Sequence, residues 1–99
     1  MIYHVTNEVD WEKAMQAGSF VVPSLEAEGF IHMSKAHQVA GVLDRYYKNQ
    51  TNLLLLHVDE QKLTAELKYD WSPSIQEDFP HIYGPINLDA IVTVEKLAQ

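Results

Sequence analysis

Leu53-Leu54-Leu55-Leu56-His57-Val58 is the stretch around which the rest of the chain has to be arranged. It is apolar but for His57, it does not alternate, and polar residues bound it: Asn49-Gln50-Thr51-Asn52 before, Asp59 after. Such a run fits a central strand covered on both faces, although periodicity alone leaves a buried helical segment open. Strand and helix signals lie on either side of it, so the chain reads as an α+β fold.

Moving towards the N-terminus, Val39, Val42, Leu43, Tyr46 and Tyr47 recur at i, i+3, i+4, i+7 and i+8, which predicts a helix over residues 35–48 with Ser34 as its cap. Residues 30–34 read as a strand with Phe30, His32 and Ser34 on one face and Ile31 and Met33 on the other. Before it, Pro23-Ser24 starts a turn or single helical turn that ends at Gly29, and residues 19–22 form a brief extended piece. Asn7 is placed to cap a first helix that Gly18 stops, and residues 2–6 form the opening strand, with Ile2, His4 and Thr6 sharing a face.

Towards the C-terminus, residues 59–64 read as a polar connector and residues 65–69 as another strand. Residues 71–80 hold two of the four prolines and are expected to form a surface loop or a lid. His81-Ile82-Tyr83 reads as a short strand ended by Gly84-Pro85, and Ala90-Ile91-Val92-Thr93-Val94 as a β-branched strand. No repeat or linker breaks the chain, and residues 1–99 are expected to form one domain.

Composition narrows the function. With 46% hydrophobic residues the chain can bury enough apolar surface to offset its conformational entropy. It contains no cysteine, so disulfides, a thiolate nucleophile and cysteine-ligated zinc are excluded. The first residues lack the basic start and apolar stretch of a signal peptide, and no apolar run approaches the ~20 residues that span a bilayer, so a cytoplasmic protein without membrane association is expected. A formal charge of −7 opposes DNA binding but leaves room for a compact phosphate-bearing ligand held by local groups.

Chemistry is suggested by an internal echo. Tyr3-His4-Val5-Thr6 and Ile31-His32-Met33-Ser34 both read apolar, His, apolar, hydroxyl, and each precedes a helix. If the two strands are neighbours, His4, Thr6, His32 and Ser34 converge on a pocket for a polar ligand. The competing reading has each imidazole satisfied by a nearby carbonyl with no ligand at all. His81 can reach the same pocket, and Trp71 is either a packing residue or a ring-stacking surface. Were the three histidines to meet near Glu28 or Asp78, zinc or iron would be chemically reasonable, but no His-x-His or His-x-x-x-His spacing is present and no metal is expected. His37 and His57 read as structural or solvent-facing, and the sole arginine, Arg45, as a surface charge. Glycine-rich dinucleotide, P-loop and nucleophile-elbow signatures are absent.

Ile2-Tyr3-His4-Val5-Thr6, Glu28-Gly29-Phe30-Ile31-His32-Met33-Ser34 and Phe79-Pro80-His81-Ile82-Tyr83-Gly84-Pro85, taken in this order, resemble the bacterial domain-of-unknown-function family 952. That family is similar in fold to ADP-ribosyltransferases and tRNA 2′-phosphotransferases. The resemblance implies a mixed or antiparallel split sheet with two main helices around an NAD-type cleft. It implies catalytic roles for His4 and His32, with Ser34 beside them, and NAD as substrate; Thr6, His81, Tyr83 and Trp71 join Ser34 as candidate substrate-binding residues. Two departures stand out: residues 79–86 contain no acid where many of these transferases place one, and a single arginine suits 2′-phosphate transfer poorly. The alternatives are a non-catalytic module that binds a nucleotide or other small metabolite, and a histidine-ligated metal protein. The sequence names no protein partner.

Overall fold

The computed structural model describes residues 1–97. In chain order the elements are β1 (Ile2–Asn7), α1 (Glu8–Ala17), β2 (Ser19–Phe20), α2 (Pro23–Glu28), β3 (Ile31–His32), α3 (Val39–Tyr46), β4 (Leu53–Val58), β5 (Leu67–Ser72), β6 (Glu77–Ile82), β7 (Ile86–Asn87) and β8 (Ile91–Lys96), with short 3₁₀ turns at Ala36–Gln38, Glu60–Lys62 and Leu88–Ala90. The strands form two three-stranded sheets, ordered β1-β4-β8 and β3-β6-β5, and a β2-β7 ribbon. Every pairing is antiparallel, so the mixed alternative expected from the sequence is replaced by a purely antiparallel arrangement.

The leucine run is the central strand β4, and its lack of alternation has a direct cause. Leu56 and Val58 face one core, shared with Ile2, Phe20, Ile31, Met33, Ile82 and Ile86. Leu53 and Leu55 face a second one with Val5, roofed by Val39, Val42, Leu43 and Tyr47 of the α3 region. Both faces are dry, so no position of β4 is free to be polar except His57, which reaches the edge and pairs with Glu95 at 2.8 Å.

Helix ends follow local chemistry. The Asn7 side chain accepts the Asp10 N–H at 2.8 Å, and Gly18 and Gly29 close α1 and α2 with φ of 87° and 89°, the left-handed region in which a side chain is penalised. Pro23 opens α2, where its missing N–H costs nothing.

Four expectations are corrected. Ser34 does not cap the second helix: its backbone pairs with Tyr3 in both directions at 2.8 Å, and the buried Gln38 side chain accepts the Lys35 N–H instead. The helix accordingly starts with a 3₁₀ turn rather than at residue 35. Residues 71–80 are no lid. They belong to the β5–β6 hairpin, whose turn is confined to residues 73–76, and the strand expected over 65–69 runs instead from Leu67 to Ser72. Pro80 is tolerated inside β6 because its carbonyl, and therefore its nitrogen, faces β3 and not β5. That carbonyl accepts the Met33 N–H at 2.9 Å, and β3 pairing ends where Pro80 has no N–H to return.

Candidate functional site

The two three-stranded sheets are joined at one point, the Tyr3–Ser34 bridge, and splay apart beyond it. The gap is a cleft of about 760 Å³ lined from β1, β3, the β5–β6 hairpin and α3. Since Tyr3 turns both backbone groups outward to Ser34, strand parity turns those of Val5 the same way. Past the bridge the Val5 C=O accepts only a long 3.4 Å bond from the Tyr47 hydroxyl, and its N–H has no partner among the described residues.

Three imidazoles meet in this cleft, and each commits one nitrogen to an oxygen of the protein. His4 Nδ1 donates to the His32 carbonyl at 2.6 Å, His32 Nε2 lies 2.9 Å from Glu28 Oε2, and His81 Nδ1 lies 2.6 Å from Asp70 Oδ2. The second nitrogen of each ring has no protein partner among the described residues. The rings of His32 and His81 stand edge to face at 5.0 Å, and Phe30 lies beneath His81 in a stack at 4.2 Å and 19°. His4 instead meets Phe20 edge-on at 5.4 Å. Among the described residues no three His, Asp or Glu side chains meet in metal-ligating geometry.

Environment separates these groups electrically. Desolvation pushes His4 down to about 4, against the opposing pull of its hydrogen bond to the His32 carbonyl, and the nearby His32 ring lowers it further. His4 is therefore neutral at pH 7, with a lone pair on Nε2. Asp70 is held below the usual carboxylate range by the Tyr83 hydroxyl, which donates at 2.6 Å, and by His81. The same bond raises Tyr83.

Of the residues singled out from sequence, His4, Thr6, His32, Ser34, His81 and Trp71 all line the cleft. Thr6 and Ser34 are buried, yet their hydroxyls make no side-chain bond among the described residues. Trp71 is 61% exposed at the mouth. Tyr83 stands behind Asp70 and not on the wall. His37 and His57 lie outside the cleft, paired with Glu77 and Glu95. Arg45, read as a surface charge, is exposed but belongs to the cleft lining beside Tyr46. Asp70 escaped the sequence reading altogether, because residue 70 fell between an expected strand and an expected loop; the hairpin register sets it across from Phe79, on the same sheet face as His81 and diagonal to it.

Residues 5–94 match the family model described as "protein of unknown function (DUF952)". The crystal structure of protein CC0527 from Caulobacter crescentus is similar over 98% of this chain and 85% of that one, with 30% identity and a TM-score of 0.89. The solution NMR structure of the same protein gives 30% identity over 97% and 83% of the two chains, with a TM-score of 0.82. No curated protein matches the chain. It belongs, by a family match over nearly its whole length, to the DUF952 family.

Proposed function

We propose that the cleft binds a dinucleotide of the NAD class and transfers its ADP-ribosyl group, as the resemblance to ADP-ribosyltransferases implies. The observation that carries this reading is the convergence of His4, His32 and His81 with unpartnered Thr6 and Ser34 hydroxyls in one cleft between two small antiparallel sheets. Its volume, about 760 Å³, falls in the range of small-molecule sites. The open N–H and C=O of Val5 suit a primary carboxamide, which needs a donor and an acceptor side by side. Neutral His4 accepts a ribose hydroxyl on Nε2, a role that protonation would abolish.

Charge supports the same class of ligand. Asp10 and Asp70 line the cleft together with Arg45, so it offers carboxylates to a cationic pyridinium and one guanidinium to a pyrophosphate. Trp71 at the mouth offers a face on which a base can stack. A single arginine in a chain of charge −7 favours, as the second reading, a module that binds a less anionic metabolite without turning it over.

Incubation with millimolar NAD tests both readings. Transfer requires a rise in the unfolding midpoint and the appearance of free nicotinamide, because a ligand that binds only the native state stabilises it by about 2.7 kcal/mol at one hundred times its Kd. Stabilisation without nicotinamide selects the binding module. Neither response at millimolar NAD sinks the dinucleotide.

A further inference from the structure

The cleft holds an acid that the sequence did not display, and its position has a chemical consequence. Asp70 Oδ2 receives two short bonds: the Tyr83 hydroxyl donates at 2.6 Å, and His81 Nδ1 lies at 2.6 Å. An ionised carboxylate can only accept, so the proton shared with His81 sits on Nδ1. Nε2 of neutral His81 then carries the lone pair, and no protein group among the described residues takes it up. Stacking on Phe30 at 19° fixes the ring plane.

We propose that Tyr83, Asp70 and His81 form a relay that makes His81 the general base of the cleft, the group that removes the proton from the hydroxyl attacking the bound ligand. The proposal rests on the dinucleotide reading for its substrate and adds to it the residue that handles the proton. The attacking oxygen, from water or from a sugar hydroxyl of an acceptor, bonds to C1′ of the ribose next to nicotinamide. The C1′–N bond breaks, and its electron pair leaves with nicotinamide, which goes from cation to neutral ring. The hydroxyl proton passes to His81 Nε2, and the imidazolium is matched by the Asp70 carboxylate until the proton is lost to solvent. With water as nucleophile the sum is NAD⁺ plus water giving ADP-ribose, nicotinamide and one proton.

His4 cannot take this part, because its partner is a carbonyl and a proton on its ring would meet no counter-charge there. His32 has a carboxylate, Glu28, but that pair is half-exposed, and water competes for both partners. His81 alone combines a 12% exposed side chain, an oriented carboxylate and a free nitrogen on the cleft wall. Asp70 and Tyr83 are positioning residues in this scheme. Tyr83 keeps the carboxylate aimed, and Asp70 selects the tautomer.

Nitrogen NMR of the histidines in the whole chain reads the tautomer, and nicotinamide release from NAD reads the chemistry. Neutral His81 is expected to carry its proton on Nδ1 in the native protein, and Asp70→Asn is expected to move it to Nε2. At saturating NAD, His81→Gln should release nicotinamide about 10²–10⁴-fold more slowly than the native protein, the usual worth of a general base. Two results overturn the relay: a native His81 protonated on Nε2, or His81→Gln releasing nicotinamide at the native rate. A native protein that neither binds NAD nor releases nicotinamide overturns the dinucleotide reading instead, and the tautomer then decides the relay on its own.

Discussion

His4 and His81 line one cleft from different sheets, and each commits Nδ1 to an oxygen 2.6 Å away. The oxygens differ. His4 meets a backbone carbonyl on a strand beside the main core, where desolvation holds the ring neutral, with its pKa near 4. His81 meets a carboxylate that Tyr83 keeps ionised. Similar geometry thus yields two kinds of imidazole: one wall carries an acceptor that is neutral at pH 7, the other a ring paired with a carboxylate. Side chains of one type sit in different electrostatic settings here because their partners and their access to water differ.

The strongest way to break this contrast is to wet the His4 wall. Leu56 lies across from His4 in the β1–β4 register and is fully buried, so the two side chains share a face. Leu56→Ala should cost about 2–5 kcal/mol in urea unfolding, and the cavity it leaves should let the titration of His4 climb back towards the value of a solvated imidazole. Unchanged titration of His4 in that variant would show that its neutrality does not come from the core beneath it.

Acid titration sharpens the same contrast at a somewhat smaller scale. The folded-state pKa of His4 lies below the unfolded 6.5, so the unfolded chain binds the proton more readily between these values. Stability is therefore complete above pH 6.5 and declines as pH falls towards 4, by at most about 3 kcal/mol for the full shift. His4→Gln should flatten this limb of the stability curve, read by urea unfolding from pH 7 to 4. A limb that survives the substitution unaltered would assign the loss to other groups.

What could be read in advance, and what could not, divides along the range of the interactions involved. Asn7, Gly18, Pro23 and Gly29 act on their own few residues, and the ends of α1 and α2 were legible from them. The double-sided burial of β4 was legible too, since dry faces leave a mark at every position of the strand. The proximity of His4 and His32 could be framed only as a condition, through the repeated apolar-His-apolar-hydroxyl pattern, because the Tyr3–Ser34 bridge that brings them together spans the helices between. Pro80 misled the reading for a related reason. Proline breaks a ladder only on the side its nitrogen faces, and that side is fixed by where β3 stops, a fact of the tertiary fold. With the hairpin hidden, Asp70 had no visible partner, although it meets His81 from the adjacent strand at 2.6 Å.

The smallest effect tests whether the two walls are separable at all. Phe30 touches His81 at 4.2 Å, His32 at 4.9 Å and Tyr83 at 5.3 Å, so it belongs to the His81 wall. His32 also supplies, through its carbonyl, the partner of His4, which gives it a foot on each side. Phe30→Leu keeps most of the apolar bulk and removes the ring contacts, for an expected loss of about 0.5–1.5 kcal/mol. If the walls act independently, that loss adds to the effect of His4→Gln within about 0.5 kcal/mol in a double-mutant cycle, and the titration of His4 does not move. A larger coupling energy would mean that His32 transmits a shift of the Phe30 floor to the His4 hydrogen bond. The neutral acceptor and the charged relay would then be one network, set together by the position of a single strand of two residues.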